Sequence, residues 1–254
     1  MAFQFSHHIV YEDGRVEHAT EYLNAKVGEF PNFAFIRALK KALEKNNGSI
    51  FRYHNHENTI VNAIYMQLLS SDEEDKEELI SFIMLISHNT GKSAKKWCGD
   101  RDMIDLWKVV KDYYYDPYTK GSNSIKDVLP AVLNSSMFLQ NRYQQELKNI
   151  NLTSKNFEDN QIFLKFKDGE LITPYKLLPP LFNNWTKDEI DNVISGLEGI
   201  SDGGAALTAY GKLQFEEISL KEGGEIECSL LKYCELDTLA MVMIFEAFRD
   251  IIKE

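Results

Sequence analysis

The 254-residue sequence lacks the apolar segments that mark membrane and secreted proteins. No apolar run reaches the roughly 18–20 residues that a helix needs to cross a bilayer. The opening MAFQFSHHIVYEDG lacks the basic start and apolar stretch of a signal peptide. The three cysteines, Cys98, Cys228 and Cys234, form no Cys-x-x-Cys pair, which argues against a zinc site or a disulfide framework. These absences predict a cytoplasmic protein with reduced thiols and no membrane partner.

Positive charge is scarce. The net charge of −11 argues against diffuse binding to nucleic acid, which depends on neutralising phosphates. The densest basic stretch, GKSAKKWCGDR, contains Lys92, Lys95, Lys96 and Arg101. A solvated loop is the favoured interpretation of this stretch, and a local nucleic-acid-binding groove on an acidic body is the alternative.

Several common catalytic motifs are also missing. The tripeptide GKS at 91–93 would need a glycine five residues before Gly91 to form a P-loop, but Ile86 stands there. No Gly-x-Ser-x-Gly elbow and no Gly-x-Gly-x-x-Gly fingerprint occurs. The sequence therefore argues against a P-loop nucleotidase, a serine hydrolase of the elbow type and a dinucleotide-binding enzyme.

The hydrophobic spacing indicates a mixed α/β chain. The opening FQFSHHIVYEDGRVEHATEYL alternates as a β-hairpin does, with Asp13-Gly14 in its turn. PNFAFIRALKKALEKNNG has a helical period, SIFRYH is typical of a short buried strand, and two further helical segments follow. A helix of about 25 residues closes the chain. We predict an α/β fold, with antiparallel strands first and a parallel crossover later, in a single domain over residues 1–254.

The pattern weakens over residues 151–204. This region contains KFKDGELITPYKLLPPLFNNW, which holds three of the six prolines and a predicted turn at Lys167-Asp168-Gly169. Phe163, Phe166, Phe182 and Trp185 indicate that it still packs. We interpret residues 151–204 as an insertion with the character of a lid.

Polar residues are dense where the predicted strand SIFRYH ends. His54, Asn55, His56, Glu57 and Asn58 follow one another there. The carboxyl end of a buried strand lines the crevice of an open α/β sheet, so these residues are candidates for a site. Helix capping by Asn55, with Glu57 in the first turn, explains the same pattern without a function. A metal site through His54 and His56 is a weaker alternative.

Two further positions carry candidate carboxylates. Asp105, in RDMIDLW, falls at the end of a possible strand, and a helix cap or an ion pair with Arg101 is the favoured interpretation. Tyr233 and Asp237, in YCELDTLAM, are four residues apart and share one face of the closing helix. A buried carboxylate needs a positive partner, a helix N-terminus or a metal ion, and periodicity alone favours a hydrogen-bonded pair.

The order of these elements and several longer phrases resemble a known family. HNTGKSAKKW, RDMIDL, YTKGSNSIKDVLPAVL, PYKLLPP and YCELDTLAMV look like segments of the bacterial family called domain of unknown function 2779. The layout also resembles the DnaQ-like 3′–5′ exonucleases of the RNase H-like superfamily. The resemblance runs from about Phe3 to the end of the chain. It implies an RNase H-like mixed sheet flanked by helices.

The resemblance also implies roles for individual residues. The third metal-binding acid of such exonucleases falls on Glu57 and the fourth on Asp237, with Tyr233 orienting the attacking water. Asp105 matches an accessory acid, beside which His54 and His56 are further candidates. Mg²⁺ or Mn²⁺ is the implied cofactor, because hard ions prefer oxygen ligands, and DNA or RNA is the implied partner.

One part of the family pattern is missing. The Asp-x-Glu pair that binds both metal ions is not found on an apolar strand ahead of FQFSHH. We therefore expect the chain as given to be inactive or nearly so, with a further segment or domain preceding it in the full-length protein. A non-catalytic relative that binds nucleic acid or another protein is the alternative.

Overall fold

The computed structural model describes residues 1–90, 95–178 and 203–253. These residues form eight α-helices and nine short strands. The helices are α1 Asn32–Leu43, α2 His56–Leu69, α3 Lys76–Ile86, α4 Leu106–Tyr113, α5 Ile125–Ser135, α6 Met137–Tyr143, α7 Gly203–Phe215 and α8 Leu220–Lys253. The strands are β1 Gln4–Val10, β2 Val16–Leu23, β3 Phe51–Arg52, β4 His88–Asn89, β5 Trp97–Cys98, β6 Ile104–Asp105, β7 Leu152–Thr153, β8 Lys165–Lys167 and β9 Glu170–Ile172.

The chain divides into two compact units, of which the first contains Met1–Phe3 and Phe30–Ala131. Its helices α1, α2 and α3 pack on one another through apolar side chains spaced three or four residues apart. Ile64 and Leu68 of α2 are fully buried in this core, as is Ile83 of α3. Strands β3 and β6 pair in parallel, and each leads into the helix that follows it.

The second unit contains Gln4–Glu29 and Val132–Glu254. Its three-stranded sheet has the order β1-β2-β7, with β1 antiparallel and β7 parallel to β2. The register of the β1–β2 hairpin shifts between His7 and His8, which marks a bulge. The long helix α8 packs on β1, β2, α6 and α7, so it forms the centre of this unit.

The α/β class is confirmed, and so is the predicted order of the first elements: a hairpin, a helix, a strand and two helices. Strands β4 and β5 form where a loop was expected. The opening hairpin forms, and Gly14 in its turn has a φ of +85°, which glycine adopts at low cost. The pairing of β3 with β6 supplies the expected parallel crossover. The prediction of one domain over residues 1–254 concerns how the two units combine, and it stays a prediction.

Two helices differ from the sequence-based expectation. Helix α8 has 34 residues instead of about 25, because it begins before Gly223 and Gly224, two residues of poor helix propensity. Helix α5 continues through Pro130, where an interruption was expected. Proline removes one backbone hydrogen bond, and the packing of a largely buried helix outweighs that loss here.

Only part of the predicted insertion is described. Strands β8 and β9 form a hairpin, and Asp168 and Gly169 turn it with positive φ values of 54° and 83°, so the predicted turn is confirmed. The remainder of the 151–204 prediction, including Phe182 and Trp185, falls largely outside the described residues. Among the described helices, none is both long enough and apolar enough to span a membrane.

Candidate functional site

Asp105 lies at the end of β6, beside the end of β3, as the sequence predicted. Its Oδ2 accepts a hydrogen bond from Arg52 Nη1 at 2.9 Å, and both side chains are almost fully buried. Its Oδ1 accepts from the backbone N–H of His54 at 2.9 Å and of Trp107 at 3.1 Å. Asp105 therefore caps α4 and joins the two parallel strands. Its ion-pair partner is Arg52, and not Arg101.

Most of the polar residues that follow the carboxyl end of β3 are exposed to solvent. His54 has a positive φ of 72°, a conformation that costs about 1–3 kcal/mol for a non-glycine residue. The hydrogen bonds of its N–H to Asp105 and of its carbonyl to Arg52 hold that conformation. His54, His56 and Glu57 are all exposed, with Glu57 in the first turn of α2. This end of the strand therefore presents two imidazoles and a carboxylate to solvent.

Capping explains only part of this polar segment. Asn55 occupies the N-cap position of α2, but its side chain makes no capping hydrogen bond and contacts Thr59 Oγ1 at 3.3 Å. The buried Asn58 instead pairs with the backbone of His88, accepting from its N–H at 3.1 Å and donating to its carbonyl at 3.1 Å. Asn58 thus has a structural role, since it holds β4 against α2.

The basic stretch divides into residues with different roles. Arg101 donates to the backbone carbonyls of Leu43 at 3.0 Å and Gly48 at 2.9 Å, so its guanidinium fixes the segment after α1. Lys95 and Lys96 are exposed. Lys92 lies outside the described residues. Of the four residues predicted to contact nucleic acid, Lys95 and Lys96 thus lie on the surface, whereas Arg101 is hydrogen-bonded to backbone carbonyls of this chain.

Tyr233 and Asp237 lie one turn apart on α8, in the second unit. The Tyr175 hydroxyl donates a hydrogen bond of 2.6 Å to Asp237 Oδ1, and the rings of Tyr175 and Tyr233 are 6.2 Å apart. Asp237 is half-buried and Tyr233 is buried. Asp237 is therefore bonded to one phenol, and the ring of a second tyrosine lies close to that phenol. Tyr175 was not among the predicted residues, although it belongs to PYKLLPP, one of the segments that carry the resemblance.

A second buried carboxylate on α8 was missed. Glu235 is fully buried, and its Oε2 lies 2.9 Å from His18 Nδ1 of β2. The Asn156 side chain donates to Glu235 Oε2 at 2.8 Å, and the Ser154 hydroxyl donates to Oε1. Burial raises the pKa of Glu235, but His18, Ser154 and Asn156 together outweigh burial and hold the pKa below its usual value. Glu235 is thus an ionised carboxylate in the core of the second unit.

Two histidines stack beside this carboxylate. The His8 and His18 rings are 4.8 Å apart and nearly parallel. His8 Nδ1 bonds to Thr238 Oγ1 at 2.8 Å, and His18 Nε2 bonds to Ser6 Oγ at 2.9 Å. Burial, together with the charge of His18, lowers the pKa of His8 to about 3. His8 is therefore a neutral imidazole throughout the physiological range.

A period-2 pattern could have pointed to part of this cluster. Ser6 and His8 share one face of β1, and that face is turned toward the closing helix. No spacing rule connects His18 or Glu21 with Glu235, which is more than 200 residues away in the sequence. The cluster is therefore a product of tertiary structure.

Comparison with known families adds one observation. The family model of a domain of unknown function (DUF2779) matches residues 1–124. The match supports the expected resemblance over the β1–β2 hairpin and most of the first unit, including His54, His56, Glu57 and Asp105. The DUF2779 match ends before α8, so it does not include Tyr233 or Asp237. No curated protein and no solved structure matches the chain.

Proposed function

We propose that this chain belongs to a divalent-metal-dependent nuclease of the 3′–5′ exonuclease type, built on an RNase H-like fold and acting on DNA or RNA. The observation that carries the proposal is the arrangement around Asp237. A half-buried carboxylate on the closing helix is fixed at 2.6 Å by Tyr175, with Tyr233 one turn before it. A preorganised carboxylate beside a phenol suits an acid that binds metal and a group that orients water.

Glu57 is the second proposed ligand. It is exposed in the first turn of α2, directly after the parallel strand β3. The constrained backbone of His54 fixes where this turn begins. Ligands at the carboxyl ends of parallel strands are typical of α/β enzymes. His54 and His56 lie near Glu57 in the sequence as accessory groups. Asp105 already accepts three hydrogen bonds, one of them from the backbone of His54, so its role is to hold this segment in place.

The donor set suits the implied cofactor. Asp237 and Glu57 offer carboxylate oxygens, which Mg²⁺ and Mn²⁺ prefer to nitrogen or sulfur. Bound divalent ions would stabilise the charge that develops on the phosphodiester oxygens during hydrolysis. In the second unit Asp237 would be a metal ligand and Tyr233 would position water, and in the first unit Glu57 would be a metal ligand. We expect little activity from the chain as given, because it supplies two of the four carboxylates that such sites use.

A non-catalytic binding role is the second candidate. Two predicted site residues have structural partners: Asp105 with Arg52, and Arg101 with backbone carbonyls. These partnerships favour a protein that keeps the architecture of a nuclease without its chemistry. Under this alternative, nucleic acid would bind in the presence of EDTA and remain intact.

The experiment is a cleavage assay with end-labelled single-stranded DNA and RNA in Mn²⁺, Mg²⁺ or EDTA. It should use this chain at a high concentration, so that weak activity is detectable. Metal-dependent release of mononucleotides that Asp237→Asn abolishes would support the proposal. Glu227→Gln removes an exposed carboxylate from the same helix and is the matched control. Full activity of Asp237→Asn would refute the proposed role of Asp237.

A further inference from the structure

The buried cluster around Glu235 has the composition of a metal site. His18 and Glu21 lie on β2 and Glu235 lies on α8, and one ligand atom from each lies within 4.8 Å of the others. We propose that His18, Glu21 and Glu235 bind a Zn²⁺ ion that fastens β2 to α8. This site uses none of the residues assigned to the nuclease, so it stands independently of the proposed function.

The contact between His18 and Glu235 brings two possible ligand atoms together in the core of the second unit. Nδ1 and Oε2 are 2.9 Å apart, yet Nδ1 is buried and makes no directed hydrogen bond with any described residue. Two ligands of a tetrahedral Zn²⁺, each about 2.1 Å from it, are separated by about 3.4 Å, so these two atoms would move apart by about 0.5 Å on binding. Because Nδ1 makes no directed hydrogen bond, it is available as a ligand for such an ion.

Asn156 occupies the space between the two carboxylates. Its Nδ2 is 2.7 Å from Glu21 Oε2 and 2.8 Å from Glu235 Oε2. The amide group thus supplies partial positive charge to both carboxylates in the absence of an ion. Rotation of this side chain would free the space between the carboxylates and turn Oδ1 toward the ion as a fourth ligand, the third oxygen. The apo arrangement and the metal-bound arrangement would then differ mainly by one side-chain rotation.

The donor set selects the kind of ion. One imidazole with two carboxylates suits Zn²⁺, whereas Mg²⁺ and Ca²⁺ prefer oxygen ligands alone. Two nearby carboxylates, one of them fully buried, carry negative charge that a divalent ion would compensate. Glu21 has a side chain that is 26% exposed, so it offers a route by which the ion can enter.

The site would hold three parts of the second unit together. His18 and Glu21 belong to β2, Glu235 belongs to α8, and Asn156 follows β7. The segment after β7 is already bound to Glu235 through Ser154 and the backbone N–H of Asn156. An ion would add coordination bonds between these parts, so Zn²⁺ should raise the unfolding temperature of this unit.

The test is titration of the apoprotein with Zn²⁺ by calorimetry, with excess Mg²⁺ present throughout. Cys98→Ser and Cys228→Ser should be included in the parent protein, because both thiols are exposed and could bind zinc on their own. We expect one Zn²⁺ per chain and a higher melting temperature. Glu21→Gln, at the partly exposed position, should weaken binding by roughly tenfold or more. His18→Gln should abolish it.

Two controls separate this site from others. Glu17→Gln alters a carboxylate on β2 that bonds to Tyr11, and it should leave zinc affinity unchanged. Asp237→Asn should also retain zinc, which distinguishes this site from the proposed nuclease site. Absence of zinc binding by the parent protein, or unchanged affinity in Glu21→Gln, would overturn the proposal. Should His18→Gln fail to fold, Glu21→Gln and the Co²⁺ absorption spectrum of the parent protein decide the question.

Discussion

Acidification should destabilise the second unit through His8. In the folded protein the pKa of His8 is about 3, against an ordinary value of 6.5. The unfolded chain therefore takes up a proton at pH values where the folded chain cannot. Stability from this residue is fully present above pH 6.5 and is lost progressively as the pH falls toward 3.

The size of the effect follows from the two pKa values. At about pH 7.5 the His8 imidazole is neutral in both the folded and the unfolded state, so its protonation changes the free energy of unfolding very little. At about pH 5 the unfolded imidazole is almost fully protonated, which lowers the free energy of unfolding by about 2 kcal/mol. The physical origin is the buried ring, stacked on His18, with Nε2 shielded from water.

Urea denaturation followed by circular dichroism at both pH values would measure this change. His8→Asn keeps a polar atom near the position of Nδ1, so it can still bond to Thr238 while removing the titrating group. The parent should lose about 2 kcal/mol more than His8→Asn on acidification. His56→Asn replaces an exposed histidine and should behave as the parent. A difference below about 0.5 kcal/mol between parent and His8→Asn would refute the reasoning.

Two structural predictions accompany this one. Arg52→Met should lower the free energy of unfolding by about 3 kcal/mol, because it leaves the buried Asp105 carboxylate without its charged partner. Chemical denaturation measures this loss, and an unchanged free energy of unfolding would contradict the ion pair. Gly99→Ala should cost more than about 2 kcal/mol, because the added Cβ would overlap the backbone carbonyl of Leu85. Its control, Gly211→Ala in α7, meets no atom and should gain about 0.5–1 kcal/mol.

Local sequence patterns were sufficient to predict those helices and strands that are determined by residues close together in the sequence. Alternation and Asp13-Gly14 predicted the β1–β2 hairpin, and apolar spacing predicted α1, α2 and α3. The start of α8 was missed because Gly223 and Gly224 lower helix propensity locally. The packing of the start of α8 on α7, through Leu213 and the ion pair of Lys212 with Glu222, outweighs that penalty, and such packing cannot be found in a 20-residue window.

Site residues were predictable in position but less so in role. Asp105 was expected at a strand end and lies there, yet its partner is Arg52, whose pairing depends on the parallel register of β3 and β6. Arg101 was grouped with three lysines by charge, but its guanidinium holds backbone carbonyls. Charge patterns report which residues can bind an anion, whereas tertiary contacts decide which of them are already engaged.

The segment Tyr233-Cys234-Glu235-Leu236-Asp237 shows why a helical pattern ranks acids poorly. Residues two positions apart in a helix are rotated by about 200° around its axis, so Glu235 and Asp237 face different surroundings. Asp237, which the sequence singled out, is half-buried beside Tyr175. Glu235, which it passed over, is fully buried among His18, Ser154 and Asn156. Burying the carboxylate of Glu235 costs more free energy than half-burying that of Asp237, because it loses more of its hydration. The hydrogen-bonding network around Glu235 is therefore a stronger indication of an ion site or a structural role than the single hydrogen bond of Asp237.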